Sequence, residues 1–387
     1  MYRIGQEEID AVTRVIRRGE LFKTTKRGET WHFEKEMREY FDVQKVISMT
    51  SGMAALESAL VAMGVGPGDE VIVSAYTYIA NAVAVIKTGA IPVVAEVDES
   101  LSIDAKDVEK KITQRTKVIV PTHMLGYPSN MDAIMEVAKK HNLKVLEDSC
   151  QAVGGSYKGK RLGTIGDVGA FSFNFWKNIS AGEGGALLTN DEKIFEKAYI
   201  YHDCCAVAYF GDQLNGFSTD LFCGSEFRTN EITSAIMRVQ LTRLDGILAD
   251  LRKNKKLLQE ALSGYFKFAP QNDPEGECSN VLTLKFDSPE DAHRYFDKNG
   301  IIMIPAMMGK HIYSAWDMLI EKRGALHPSM NPFNFEENKN APEFKAGSCP
   351  ESDRILNSVG HINIDIDWTE QDIEVMAKKI IYGLKNK

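Results

Sequence analysis

Lys117-Val118-Ile119-Val120-Pro121, then a helical stretch from Met131 to His141, then Leu143-Lys144-Val145-Leu146-Glu147-Asp148: this succession decides the fold. Two short apolar runs with a helix between them read as a strand–helix–strand unit. The same alternation extends toward the N-terminus. Glu70-Val71-Ile72-Val73-Ser74 is a strand, Ile79 to Lys87 a helix, and Ile91-Pro92-Val93-Val94-Ala95-Glu96-Val97 another strand. Continuously apolar strands separated by helices predict an α/β fold with a mostly parallel central sheet covered on both faces. Residues 8–18 and 31–41 carry helical spacing, with Ile9, Val12, Val15 and Ile16 on one face, and Gly19 to Thr30 reads as a polar arm between them.

Beyond the long helical stretch from Asn230 to Tyr265 the texture changes. Asn280 to Phe286 alternates like a strand, Pro289 to Asn299 is a helix and Ile301 to Ile304 a further strand. This predicts a large domain over residues 1–250 and a smaller α+β C-terminal domain over 251–387. In the latter, His327 to Ser352, rich in Pro, Asn and Glu, reads as a surface excursion, and Thr369 to Lys387 as a closing helix.

Composition narrows the function. The 387 residues are 44% hydrophobic and 26% charged, as in an ordinary globular chain. A formal net charge of −8 argues against nucleic acid as the partner, because phosphate backbones are bound by clustered Lys and Arg. No apolar run is long enough for a membrane span, and Met1 to Glu8 lacks the apolar core of a signal peptide. Six cysteines include one close pair, Cys204-Cys205, and no CxxC spacing. That predicts reduced thiols in a cytoplasm and no metal site.

In a parallel α/β sheet, ligands bind beyond the carboxyl ends of the strands. Tyr76-Thr77-Tyr78, His123 and Asp148 all stand at such ends. Asp148 closes an apolar strand, where a lone carboxylate is costly without a partner. A turn or capping role accounts for it equally well on local grounds. Thr50-Ser51-Gly52-Met53 opens a helix whose N-terminus suits a phosphate, although Ser51 alone reads as an ordinary N-cap. Gly64-Val65-Gly66-Pro67-Gly68 precedes a strand instead of following one and is read as a turn. Phe171-Ser172-Phe173-Asn174-Phe175-Trp176-Lys177-Asn178 sets one lysine among aromatic residues ahead of Gly182-Glu183-Gly184-Gly185. An unperturbed lysine is unprotonated in about one molecule in 2500 at neutral pH, so a desolvated one is a far better nucleophile toward carbonyls. The bland alternative has the Lys177 stem lying under Trp176 with its charge in solvent.

Together these segments resemble one family. Thr50-Ser51-Gly52, Thr77-Tyr78, Glu147-Asp148-x-x-Gln151-Ala152, Phe171-Ser172-Phe173-x-x-x-Lys177 and Gly182-Glu183-Gly184-Gly185 are similar to the DegT/StrS sugar aminotransferases, fold-type I enzymes that use pyridoxal 5'-phosphate (PLP). The resemblance implies that Lys177 holds the cofactor covalently and then moves a proton, with pyridoxamine 5'-phosphate as the intermediate form. It implies that Asp148 faces the pyridine nitrogen, Tyr78 the ring face and Gln151 the phenolic oxygen. Ser51, Gly52, Met53 and Ser172 would meet the phosphate. A related dehydratase carries histidine where this chain has Lys177, which favours transamination.

The chain departs from the family in one motif. Gly224-Ser225-Glu226-Phe227-Arg228 stands where relatives have Gly-x-Asn-x-Arg, whose asparagine reaches the neighbouring subunit's cofactor phosphate. A carboxylate about 4 Å from that phosphate would cost about 4 kcal/mol at an effective dielectric of 20. Glu226 is therefore expected to turn away, take a proton, or pair with a cation such as Arg228. A homodimer with shared sites is still implied. The implied reaction moves an amino group from glutamate or glutamine to a keto or aldehydo sugar, a nucleotide-linked 4-keto-6-deoxy sugar coming first. Gly309 to Trp316, with His311 and Trp316 as candidate substrate residues, instead resembles members acting on unlinked inososes or an oxidised eight-carbon sugar acid. A regulator that has lost catalysis is the reading from another class, and intact Lys177, Asp148 and Ser172 speak against it.

Overall fold

In the computed structural model, residues 3–22, 27–204 and 216–385 are described; the pair partner Cys205 and part of the polar arm lie outside them. Helices α1 (Gln6–Arg18) and α2 (Glu29–Phe41) lead into β1 (Lys45–Met49) and α3 (Gly52–Ala62). Then come β2 (Glu70–Ser74), α4 (Ala80–Lys87), β3 (Ile91–Ala95), α5 (Ala105–Lys111), β4 (Thr116–Val120), α6 (Met131–His141) and β5 (Lys144–Asp148). A short hairpin, β6 (Ser156–Tyr157) and β7 (Lys160–Arg161), precedes β8 (Val168–Ser172), β9 (Gly185–Thr189), α7 (Glu192–His202) and the long α8 (Glu231–Leu262). The C-terminal part holds β10 (Lys267–Phe268), β11 (Val281–Lys285), α9 (Pro289–Asn299), α10 (Asp317–Ile320), α11 (Pro350–Asn357), β12 (Val359–Asn363) and α12 (Glu370–Lys385).

Seven strands form the main sheet in the order β1-β9-β8-β5-β4-β2-β3. Every neighbouring pair from β8 to β3 is parallel, and β9 alone runs against its neighbours. All five residues of β2, β3, β8 and β9 are buried, which is why these strands read as unbroken apolar runs. After β2 the chain moves outward to β3, whereas after β4 it moves the other way to β5. The switch point therefore lies between β2 and β4, and a crevice opens beyond their carboxyl ends.

The second sheet, β10-β11-β12, is antiparallel. The expected division at residue 250 falls inside α8, which runs unbroken and buries Leu244, Leu248, Leu251 and Leu258 in one core with Leu282 and Ile362. Ile301 to Ile304 is not a strand. Met303 alone pairs, with His361, before Pro305 removes a donor and begins a 3₁₀ turn. The His327–Ser352 excursion is tied down by buried Asn338, which accepts from Gly68 N–H and donates to the carbonyls of Gly89 and Pro332.

A buried chain of hydrogen bonds joins the small sheet to the end of β2. Tyr127 Oη lies 3.0 Å from the Val281 carbonyl, which can only accept, so the phenol donates there. Thr283 must then donate to Tyr127 over 2.9 Å, and His361 Nδ1–H to Thr283 over 2.8 Å. His361 Nε2 is thereby left to accept from Tyr76 at 2.9 Å. Burial pushes the Tyr76 and Tyr127 phenols up and the His361 imidazole down to about 3. The ring is neutral in the fold.

Candidate active site

Beyond β5, Asp148 is buried, with one carboxylate oxygen accepting from Cys150 N–H at 3.1 Å and the other from Asn81 Nδ2 at 2.9 Å. Among the described residues it has no salt bridge. Its neighbour Glu147 is committed elsewhere: it accepts from the N–H groups of Gly163, Ile165 and Gly166 and from His123 Nε2. Ser129 N–H donates to His123 Nδ1 at 3.0 Å, which fixes the proton on the Nε2 facing Glu147. Both groups brace the strand ends and leave Asp148 as the carboxylate facing the crevice.

Ser51 caps α3 by accepting from Ala54 N–H at 3.1 Å, so the N-cap role is met. The N–H groups of Gly52 and Met53 have no intrahelical acceptor and stay available to an anion at the positive end of the helix. Close approach explains two glycines here. A Cβ on Gly52 would sit 2.7 Å from Cys150 Sγ and 2.8 Å from Ser172 Cβ. One on Gly185 would lie 2.3 Å from the Ser51 carbonyl. The start of α3 therefore rests directly on the ends of β5, β8 and β9, beside the buried Ser172 hydroxyl.

Lys177 lies on the turn between β8 and β9, its N–H bonded to the Asn174 carbonyl. It is half-buried, while Trp176 is 70% exposed and Phe175 is also exposed. The charge of Lys177 is felt by Cys150, beside Asp148, and by His311. Lysine, carboxylate and helix start thus converge on one crevice, although the sequence spaces them far apart. Gln151 Oε1 accepts from Leu125 N–H at 3.2 Å, which holds the start of the 3₁₀ turn after β4 against it.

Tyr78 is 48% exposed over the crevice, and the His311 ring lies 5.0 Å from it. Burial, then the Lys177 charge, pushes the His311 imidazole down. Its Nδ1–H donates to the Met308 carbonyl, leaving Nε2 as an acceptor. Trp316 requires a correction: it is 0% exposed, stacks on Phe344 and donates to the Lys310 carbonyl, so it packs the core and offers no surface to a substrate. Glu226 takes the third of its expected courses. It pairs with Arg228 at 2.6 Å, while the same guanidinium bonds buried Asp203. Sequence reading missed Asn81, whose signal was an amide one helical turn after Thr77 in a helix otherwise apolar up to its closing Lys87.

A cavity of about 290 Å³ lies away from these strand ends, between β10, β11, α9 and the end of α12. Its Lys267, Arg294 and Lys285 are already paired with Asp287, Asp291 and Glu99. The crevice is chemically the richer place. A helix start suits a phosphate, a buried carboxylate without a cation suits a protonated ring nitrogen, and a half-buried amine suits an aldehyde.

The sequence profile of the DegT/DnrJ/EryC1/StrS aminotransferase family matches residues 2–298. The chain is 39% identical over 276 residues to the spore coat polysaccharide biosynthesis protein SpsC of Bacillus subtilis, covering 70% of this chain and 68% of that protein. It is 36% identical over 279 residues to the dTDP-3-amino-3,4,6-trideoxy-alpha-D-glucose transaminase of Streptomyces venezuelae, covering 70% of each. The X-ray structure of an aminotransferase from Psychrobacter cryohalolentis superposes with a TM-score of 0.81 at 27% identity, over 100% of this chain and 98% of that one. No helix among the described residues is long and apolar enough to cross a membrane. The chain therefore is a pyridoxal 5'-phosphate-dependent sugar aminotransferase and belongs to the DegT/DnrJ/EryC1/StrS aminotransferase family.

Proposed function

We propose that the protein moves an amino group from glutamate or glutamine onto a nucleotide-linked 4-keto-6-deoxy sugar. The observation that carries the site assignment is the convergence of Asp148, Lys177 and the start of α3 beyond the switch point. The Streptomyces relative, named as a dTDP-sugar transaminase, supports the nucleotide-linked substrate. When bound, PLP supplies an electron-accepting ring and an aldehyde. The chain's own residues do the rest. Gly52 and Met53 N–H, with Ser51 and Ser172, would hold the phosphate, Tyr78 would face the ring, and Gln151 would serve its phenolic oxygen. Asp148 would hold the proton on the ring nitrogen. Lys177 would be the amine that takes the aldehyde and the group that would then move a proton at the reacting carbon.

His311, beside Tyr78 and within reach of the Lys177 charge, is placed to meet the acceptor sugar. The working form is a homodimer with sites shared across the interface, where Glu226 and Arg228 stand near the neighbouring subunit. Glu226 shares the Arg228 guanidinium with buried Asp203, so its charge toward the neighbouring subunit's cofactor phosphate is only partly offset. The described cysteines are all free, which suits a cytoplasmic enzyme in amino-sugar biosynthesis.

The test is to load the protein in its pyridoxamine form and offer keto sugars, nucleotide-linked and free. Return of the PLP absorbance with a dTDP- or GDP-linked 4-keto-6-deoxy sugar is the expected result. Return only with inososes or free keto acids would move the substrate to the unlinked class. Return with none would revive the reading of a regulator without catalysis.

A further inference from the structure

We propose that Asn81 is the positioning residue of this site: it aims the Asp148 carboxylate and ties it to the backbone of Tyr78. The inference rests on the reading above that Asp148 faces the ring nitrogen of the cofactor. Asn81 is buried in the first turn of α4. Its Nδ2 lies 2.9 Å from Asp148 Oδ2, 2.6 Å from Thr77 Oγ1 and 2.9 Å from Thr122 Oγ1. The reverse amide orientation would put an acceptor oxygen against a carboxylate that has only acceptors, so the nitrogen must face Asp148.

The hydroxyls around it run in one direction. Thr122 donates to Thr77 Oγ1 over 3.1 Å, and the Thr77 hydroxyl points to the Tyr78 carbonyl at 3.4 Å. Asn81 therefore joins the residue at the ring's edge to the residue on its face. The two Asp148 oxygens each take a single side-chain or backbone donor, so lone pairs remain for a ring N–H.

A second observation points the same way. Asn81 Oδ1 is buried and has no hydrogen-bond partner among the described residues. Buried amides usually satisfy both ends, and the exceptions call for an explanation such as a catalytic role. Here the amide is held by its nitrogen side alone. That is the side that serves Asp148.

The experiment compares the affinity of the wild-type protein and of Asn81→Leu for PLP and for 1-deaza-PLP, in which a carbon replaces the ring nitrogen. If Asn81 acts through Asp148, N81L should lose about tenfold in affinity for PLP, the worth of one hydrogen bond to a charged group. Its affinity for the deaza analogue should change less than about twofold, because that ring has no proton for Asp148 to hold. Equal losses for both compounds, or no loss for either, would overturn the proposal. A wild-type protein that binds both equally would instead overturn the ring-nitrogen reading, and the proposal with it. Should N81L fail to fold, Asn81→Ala carries the same comparison.

Discussion

Replacing His361 should flatten the acid dependence of stability, because this buried ring is neutral in the fold and free to protonate in the unfolded chain. Burial, then the charge of Lys255 on α8, pushes its imidazole from 6.5 down to about 3. Among the described residues its ring bonds only Tyr76 at the end of β2 and Thr283 on β11, and no carboxylate contacts it. The sign follows from proton counting. Below about pH 6.5 the unfolded state binds a proton that the fold refuses, so stability is lost as pH falls, and the loss ends only near pH 3. At about 1.4 kcal/mol per pH unit, the ring alone removes about 2 kcal/mol between pH 7 and pH 5. Protonation at Nε2 would also set a donor against the Tyr76 hydroxyl, loosening the tie between the small sheet and the crevice. The assay is urea unfolding of the wild-type protein and His361→Asn across that pH range. The variant, though weaker throughout, should lose about 2 kcal/mol less than wild type on going to pH 5. Parallel pH profiles would refute both the neutral ring and the direction assigned to the hydrogen-bond chain.

Gly52→Ala should weaken PLP binding and lower unfolding stability by about 1–3 kcal/mol, since its Cβ meets Cys150 and Ser172 in a packed cradle; calorimetry with and without PLP reads both effects. Glu226→Asn should change stability by less than about 1 kcal/mol, as its pair with Arg228 is half-exposed, and should leave PLP affinity equal or better. A tenfold loss of affinity would give Glu226 a positive role. Asn338→Ala should cost about 2–3 kcal/mol in chemical denaturation, because it strands the buried carbonyls it serves and unties the excursion from the turn at Gly68. A change under about 0.5 kcal/mol would mean that the excursion is held elsewhere.

What could be read from the sequence follows the physics of burial. Strands such as Glu70–Ser74 are covered on both faces, so they show as continuous apolar runs whatever surrounds them. Asp148 and Lys177 could be singled out because a charge amid apolar residues is expensive unless used. The boundary expected at residue 250 falls inside α8, which keeps its apolar face packed along its full length and gives no local signal of a new sheet. Ile301–Ile304 had the right residues for a strand, but its pairing stops at a proline that only the fold makes decisive. His311 and Trp316 looked alike in one short segment. The fold turns one toward Tyr78 and seals the other under Phe344. Asn81 was illegible for a similar reason: its meaning lies in Asp148, far away in the chain and 2.9 Å away in space. The segment carrying His311 also lies beyond residue 298, where the family match ends, and so the acceptor sugar is the least legible part of the protein.

Lys177 should be the amine that takes the cofactor. The direct measurement is to load the purified protein with PLP, reduce it with borohydride, and locate the label by peptide mass spectrometry. A pyridoxyl group is expected on Lys177 alone, with no label there and no absorbance near the visible edge in Lys177→Ala. A label on another lysine, or an undiminished absorbance band in the variant, would contradict it.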